Sequence, residues 1–283
     1  MNTADNSNPY AMQYRHIILT RFNLQYDPDS TLHIQPCWLD NRLALFEKYC
    51  LPSMLQQTCR DFTWLLLADE HTPDIQRKRL LSYPNILPQI EVLFCPYYDD
   101  FNVLYRQIGE QYGKGYEWLL STRLDNDDML ATNAVENLHC YMEQHAPANR
   151  ILTYPIGVQY FADANIAFKI GFTSNHFLTF LEDKHHIRTC LGIDHTKVSP
   201  SSLRSIGSAD MWCEIVHSSN ICNNYVPKYH YYWQHPQGQY PITLPRTAWQ
   251  QRIPFLTRHW FAFRAAQARR LMHRLLARFG HNA

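Results

Sequence analysis

Asp125, Asn126, Asp127 and Asp128 stand in a row where the apolar run 118–122 gives way to a polar segment. Carboxylates crowded at a strand end repel one another and are costly to keep ionised unless a cation or a ring of donors offsets them. A Mg²⁺ or Mn²⁺ held there by few protein oxygens would keep coordination positions open for substrate phosphates, which is the chemistry of a nucleoside-diphosphate site. The competing reading is local. Asp and Asn are favoured in turns and at helix N-termini, and residues 129–141 could be the helix that these side chains cap. One acid is enough for a cap.

The elements around the cluster favour the first reading. Residues 16–20, 63–68, 90–95 and 118–122 are short, apolar and uninterrupted, as strands buried on both faces are. Helical stretches separate them: 38–49, with Leu39, Leu43 and Phe46 on one face, a short piece opened by Pro52, another after Pro73, and 102–112. That alternation predicts an open α/β sheet whose ligands sit beyond the carboxyl ends of the strands, where Thr20, Asp69, Pro96 and Asp125 fall. After Arg150 the pattern becomes alternating, with runs 151–154, 158–161 and 166–170, the last two joined by a turn at residues 163–165. Ser208 reads as the N-cap of a short helix over 209–217, followed by a loop with Asn220, Asn223 and Asn224.

The chain has 283 residues, 46% apolar and 14% aromatic, enough for one large cored domain or a domain with an appendage. Its eight cysteines show no C-x-x-C spacing and read as reduced, structural thiols. The first thirteen residues lack a secretory pattern and no run of about 18 apolar residues occurs, so the expected location is the cytoplasm. None of the nine glycines forms a dinucleotide fingerprint or a P-loop, and His185, His186, His230 and His235 lack zinc-like partners. Charge is uneven. Glu214 is the last acidic residue and nine Lys or Arg follow it, which leaves 17 basic against 25 acidic residues, or −8, for positions 1–214. A basic tail on an acidic body suits an anionic partner or the protein's own acidic face.

The stretch 53–70, with Ser53, Gln57, Thr58, Phe62, Asp69 and Glu70, resembles the N-terminal signature of family 2 glycosyltransferases. With Asp125–Asp128 as a D-x-D element, the chain resembles a GT-A fold, a Rossmann-like mixed sheet flanked by helices. More closely, 16–23, 57–70, 122–128 and 211–220 are similar to the bacterial rhamnosyltransferase family, in order over roughly residues 14–235. The resemblance implies a GT-A domain, placed over 14–240, and the remaining 241–283 reads from its charge and periodicity as a basic amphipathic helical tail. It implies a metal-dependent transferase that moves a sugar, such as rhamnose, from a nucleotide-sugar donor to a glycan or lipid-linked acceptor, with no nucleic-acid partner.

Residue by residue, the resemblance makes Asp127 the direct ligand of Mn²⁺ or Mg²⁺, Asp125 the next, Asp128 a substitute for either, and Asn126 a turn former. His217 is the candidate third ligand, against a histidine bonded near a helix C-terminus. An inverting transferase needs a carboxylate to take the acceptor's proton, and Asp210 and Glu214, four apart on the expected helix, share one face for it. Asp210 could equally stabilise the helix dipole. For the nucleotide, Thr20, Arg21 and Asp69 are candidates at strand ends, Asp69 accepting from a pyrimidine N–H. Arg123 could bind phosphate or pair with the acids, and Asp99 and Asp100 could contact the ribose or uracil side or form a solvated turn. Residues 256–279 form an amphipathic helix with Trp260, Phe261, Leu271, Met272, Leu275 and Phe279 on one side and Arg258, Arg269, Arg270 and Arg274 largely opposite. Such a helix suits an anionic bilayer or a packed position on the acidic body. Two rivals remain at this point: a scaffold that binds glycan or protein without turnover, and a sugar nucleotidyltransferase, which would want a Gly-rich loop after the first strand.

Overall fold

Ile17, Ile18 and Leu19 are wholly buried in the first strand, β1 (Tyr14–Arg21), so this strand is covered on both faces. The computed structural model describes residues 13–218, 230–232 and 234–279. Three more strands follow the first pattern: β2 (Thr63–Asp69), β3 (Ile90–Cys95) and β4 (Trp118–Arg123). The crossover helices are α1 (Pro36–Leu45), continued by a π-helical turn over Phe46–Cys50, then α2 (Leu51–Leu55), α3 (Asp74–Ser82) and α4 (Phe101–Gly113). Alternate strand residues face opposite layers. Ile18, Trp64 and Leu66 pack with Leu39, Leu43, Phe46 and Leu80 of the helices on one face, while Ile17, Leu65 and Leu67 pack with Leu104 and Ile108 of α4 on the other.

After β4 the chain departs from the expected capped helix. Residues 129–130 form a short strand, β5 (Met129–Leu130), and the helix, α5 (Ala134–Gln144), begins four residues later. The acids therefore cap no helix. The chain continues through β6 (Arg150–Thr153), β7 (Ile156–Phe161), β8 (Ile166–Gly171), β9 (Thr179–Asp183), β10 (Leu203–Ser205), β11 (Trp212–Val216), β12 (His230–Tyr232) and α6 (Trp249–Phe279). The β7–β8 hairpin is as expected, its turn closed by Asn165 at φ 51°, a left-handed position that Asn tolerates.

Two sheets result. The first runs β10-β6-β9-β4-β1-β2-β3, parallel from β4 to β3, with β9 antiparallel to both β4 and β6. The second runs β12-β8-β7-β11-β5. Because β4 belongs to the first sheet and β5 to the second, residues 124–128 are the bridge between them. That bridge is the acidic segment.

The helix expected over 209–217 is a strand. Trp212, Cys213, Ile215 and Val216 are aromatic or apolar with β-branched members, and their alternation lets Cys213 and Ile215 join one core while Trp212 joins another. Its backbone pairs parallel with β7, Cys213 opposite Val158, and antiparallel with β5. Gly157 of β7 is required there: a Cβ would lie 2.1 Å from the Trp212 ring.

α6 starts seven residues earlier than expected and is anchored at its first turns. Arg252 is buried and donates to the carbonyls of Thr247 and Tyr232, and Phe255 meets Phe161 at 4.6 Å between ring centroids. Trp260 and Phe261 are exposed. The loop with Asn220, Asn223 and Asn224 lies outside the described residues, as do the side chains of Arg270, Leu271, Met272, Arg274, Leu275 and Phe279. Among the described residues seven cysteines are free. No described helix is long and apolar enough to cross a membrane.

Candidate active site

The bridge between the sheets places three carboxylates in three environments. Asp125 accepts two parallel hydrogen bonds from Arg123, Nε to Oδ1 at 2.9 Å and Nη2 to Oδ2 at 2.8 Å, with Arg21 4.0 Å away. Burial opposes its ionisation, yet Arg123, through charge and hydrogen bond, with His176 and Arg21, holds its carboxyl well below the usual range. Asp127 Oδ2 receives Arg42 Nη1 at 2.8 Å and lies 3.0 Å from His217 Nε2. Asp128 is fully buried: Oδ1 accepts the Ile215 N–H at 2.8 Å and Oδ2 lies 2.7 Å from His176 Nε2. Burial first, then the charges of Asp127 and Asp125, push its pKa well above the ordinary value. Asn126 donates to the Phe22 carbonyl and so holds the bridge against β1.

Asp125, Asn126 and Asp127 line a cleft of about 980 Å³ at the carboxyl ends of β1 and β4. Its walls are aromatic and apolar at Tyr26, Trp38, Tyr105 and Trp212, and its polar floor adds His33, Asn175, His176, His195 and Glu214. A few convergent polar groups in a largely apolar hollow are what a small-molecule site needs. Glu214 is buried and accepts from Gln159 Nε2 at 2.9 Å. Burial raises its pKa to about 7, His176 opposing and Asp128 adding to the rise. Burial also lowers His176, and burial with Arg123 and His176 takes His195 down to about 4, so both rings are neutral near pH 7.

Of the residues singled out by sequence, Arg21, Arg123, Asp125, Asp127 and Glu214 meet in this cleft, with Asp128 behind them and His217 on Asp127. Others do not reach it. Thr20 is fully buried, donating to the Leu124 carbonyl and accepting from Trp64 Nε1, so it ties β1 to the bridge rather than meeting a ligand. Asp69 accepts from the His71 N–H and sits 3.4 Å from His33 Nε2, where it orders the turn after β2. Asp99 is exposed outside the cleft, and Asp100 caps α4 by accepting from the Asn102 N–H. Asp210 precedes β11 and turns away from the cleft. It lies outside the strand that carries Glu214, accepts from the Gln237 and Gly238 N–H groups and pairs with Lys169 at 3.5 Å.

Sequence reasoning missed Arg42, His176 and His195. Arg42 had a signal: on a helix it falls on the same side as Leu39, Leu43 and Phe46, an arginine on an apolar face. His176 lies in a loop and His195 opens a one-turn 3-10 helix, His195–Lys197, and neither carried a signal. Among the described residues one group could hold a metal ion: Asp125, Asp128 and His176, whose ligand atoms all lie within 4.8 Å of one another.

The mixed sheet flanked by helices, with acids at the end of β4 facing a cleft, is the GT-A-like scaffold of glycosyltransferases. The chain belongs to the family described as "Putative rhamnosyl transferase", which it matches over residues 23–229. Among solved structures it is similar to S. aureus TarS 1-349, at 8% identity and a TM-score of 0.42 over 72% of this chain and 60% of that one. The same protein in complex with UDP is similar at 11% identity and a TM-score of 0.40, over 72% and 61%. A putative glucose-1-phosphate thymidylyltransferase from Bacillus anthracis in complex with a sucrose follows at 9% identity and 0.35, over 70% and 88%. The chain thus spans about three fifths of the TarS 1-349 chains that it matches. No curated protein matches its sequence.

Proposed function

We propose that this chain is a metal-dependent glycosyltransferase that moves a sugar, rhamnose in keeping with its family's description, from a nucleotide-sugar donor to a bacterial surface-glycan precursor. One observation carries the reading: a bridge of acids, backed by a neutral histidine and faced by a raised-pKa glutamate, opens on a cleft large enough for a sugar nucleotide. The body is residues 14–240, and the tail over 241–283 meets the membrane surface at which a lipid-linked acceptor is held.

The residues fit a divalent ion. Two carboxylates and a neutral imidazole are the hard-oxygen and nitrogen donors that suit Mn²⁺ or Mg²⁺, and a cation would relieve the like-charge strain on Asp128. Asp125, Asp128 and His176 would hold it, with Asp127 and His217 beside them. When bound, the ion supplies positive charge for the diphosphate leaving group. Arg21 and Arg123, which flank Asp125, would provide donors for phosphate oxygens. Trp38, Tyr26 and Tyr105 offer flat surfaces for the base and ribose. Glu214, fixed by Gln159, takes the acceptor hydroxyl's proton, and a pKa near 7 matches it to work at neutral pH. The base role moves from the Asp210–Glu214 pair to Glu214 alone because Asp210 is engaged by backbone N–H groups and Lys169.

Thermal-shift titration with UDP, GDP and dTDP, with and without Mn²⁺, tests this reading. One nucleotide should raise the melting midpoint only with the ion present, by about 2.7 kcal/mol of stabilisation at a hundredfold excess over Kd. Asp127→Ala should abolish sugar-nucleotide turnover with the fold intact. No shift with any nucleotide, with or without the ion, refutes the transferase reading and favours a scaffold that binds without turnover.

A further inference from the structure

A second cavity, of about 630 Å³, lies where the start of α6 meets the β7–β8 hairpin and the end of β11. The geometry points to this cavity as the subsite for the acceptor, a neutral pyranose unit; the inference rests on the transferase reading above and adds where and by what chemistry the second substrate is held.

Placement is the first argument. Alternate residues of a strand share a face, so Trp212, Glu214 and Val216 of β11 form one row. Trp212 and Glu214 line the donor cleft and Val216 lines the second cavity. Glu214 is therefore the member of the row next to the cavity, about 7 Å along the strand from Val216 at the usual rise per residue. That is close to the length of one sugar ring. His217 makes the same link from the side, since it lines the second cavity while its Nε2 lies 3.0 Å from Asp127 Oδ2 in the donor cleft. A saccharide in the second cavity would present a hydroxyl toward Glu214 from the side opposite the nucleotide, as transfer between two bound substrates requires.

The lining is the second argument. Phe161, Phe255 and His259 form an aromatic floor, Phe255 and His259 stacked at 3.9 Å and Phe161 4.6 Å from Phe255. Asp163 and Arg258, both exposed, add one carboxylate and one guanidinium to the lining. An apolar floor suits the C–H face of a pyranose, a carboxylate accepts from hydroxyls, and a planar guanidinium donates to a neighbouring pair of them. A lining with one charge of each sign does not favour an anion. The cavity thus differs from the donor cleft, where Arg21 and Arg123 flank the acids.

The test is saturation-transfer NMR of the full chain with the methyl pyranosides of rhamnose, glucose, galactose and N-acetylglucosamine, repeated with Asp163→Asn, Arg258→Ala and the cavity-filling Ala164→Trp. These three positions are exposed, so the melting midpoint should hold. At least one pyranoside should bind, each polar substitution should weaken it about tenfold, the worth of one charge-assisted hydrogen bond, and Ala164→Trp should abolish binding. Nucleotide affinity in the presence of Mn²⁺ should stay unchanged in all three. Binding of none of the pyranosides, or binding indifferent to all three substitutions, overturns the proposal. Nucleotide binding without pyranoside binding sinks the acceptor subsite alone. Pyranoside binding that the substitutions remove, in a chain that binds no nucleotide, leaves a saccharide site and sinks the transferase reading.

Discussion

Replacing Glu214 by Gln separates catalysis from stability with opposite signs. The carboxyl is buried and accepts from Gln159, and burial raises its pKa from the ordinary 4.5 to about 7. Below about pH 4.5 the folded and unfolded chains both carry the proton. As pH rises toward 7 the unfolded chain loses it while the folded chain keeps it, so stability falls, by a total on the order of 3 kcal/mol for a rise of that size. An uncharged Gln of the same shape never incurs that cost, and its carbonyl can still accept from Gln159. The Gln variant should therefore be more stable than the parent at pH 8, by up to about 3 kcal/mol in urea titrations, and about equal to it at pH 4.5. Transfer should fall roughly 10²- to 10⁴-fold, the usual worth of a general base, and the acidic limb of the pH–rate profile near pH 7 should vanish. Donor affinity should be unchanged. A variant that transfers sugar within about threefold of the parent, or that keeps the acidic limb, refutes the assignment of Glu214 as base.

Buried His16 and His139 hydrogen-bond ring to ring at 2.9 Å, and burial, with His139 adding for His16, lowers both pKa values, so the folded chain refuses protons that the unfolded chain takes. Relative to a His16→Asn, His139→Gln variant, in which every other titrating group is shared, the parent should lose stability as pH falls below about 6.5, by up to about 1.4 kcal/mol per pH unit for each ring; a difference that stays flat between pH 7 and 5 refutes it. Gly157→Ala places a methyl inside the Trp212 ring contact and should cost about 1–3 kcal/mol in urea titrations, and an unchanged midpoint would show that β7 and β11 can part without loss. Trp260 and Phe261 are exposed on α6 beside Arg264, so deleting residues 260–283 should weaken salt-sensitive co-sedimentation with anionic liposomes; equal binding by both chains, or none by the full one, refutes membrane contact.

The parallel half of the first sheet was legible because its inner strands, buried on both faces, read as near-continuous apolar runs, and 63–68 and 90–95 fall within a residue of β2 and β3, although β3 is an edge strand with Glu91 exposed. The acidic cluster was legible as chemistry because three carboxylates in four residues exceed what a turn or a cap needs. The hairpin β7–β8 was legible from alternation and its Asn turn. Helix and strand could not be told apart over 209–217, since so short a segment, apolar over 211–216 but for Glu214, satisfies either period and only pairing with β7 and β5 decides it. That one decision sent Asp210 to Lys169 and left Glu214 facing the cleft. Burial and partners, which set whether a carboxyl is held ionised like Asp125 or raised like Asp128 and Glu214, belong to the tertiary structure. So does the meeting of Asp127 with Arg42, 85 residues away, and of Asp128 with His176, 48 away, because sequence spacing sets contacts only within a helix turn or a hairpin and longer-range contacts follow from how the two sheets pack.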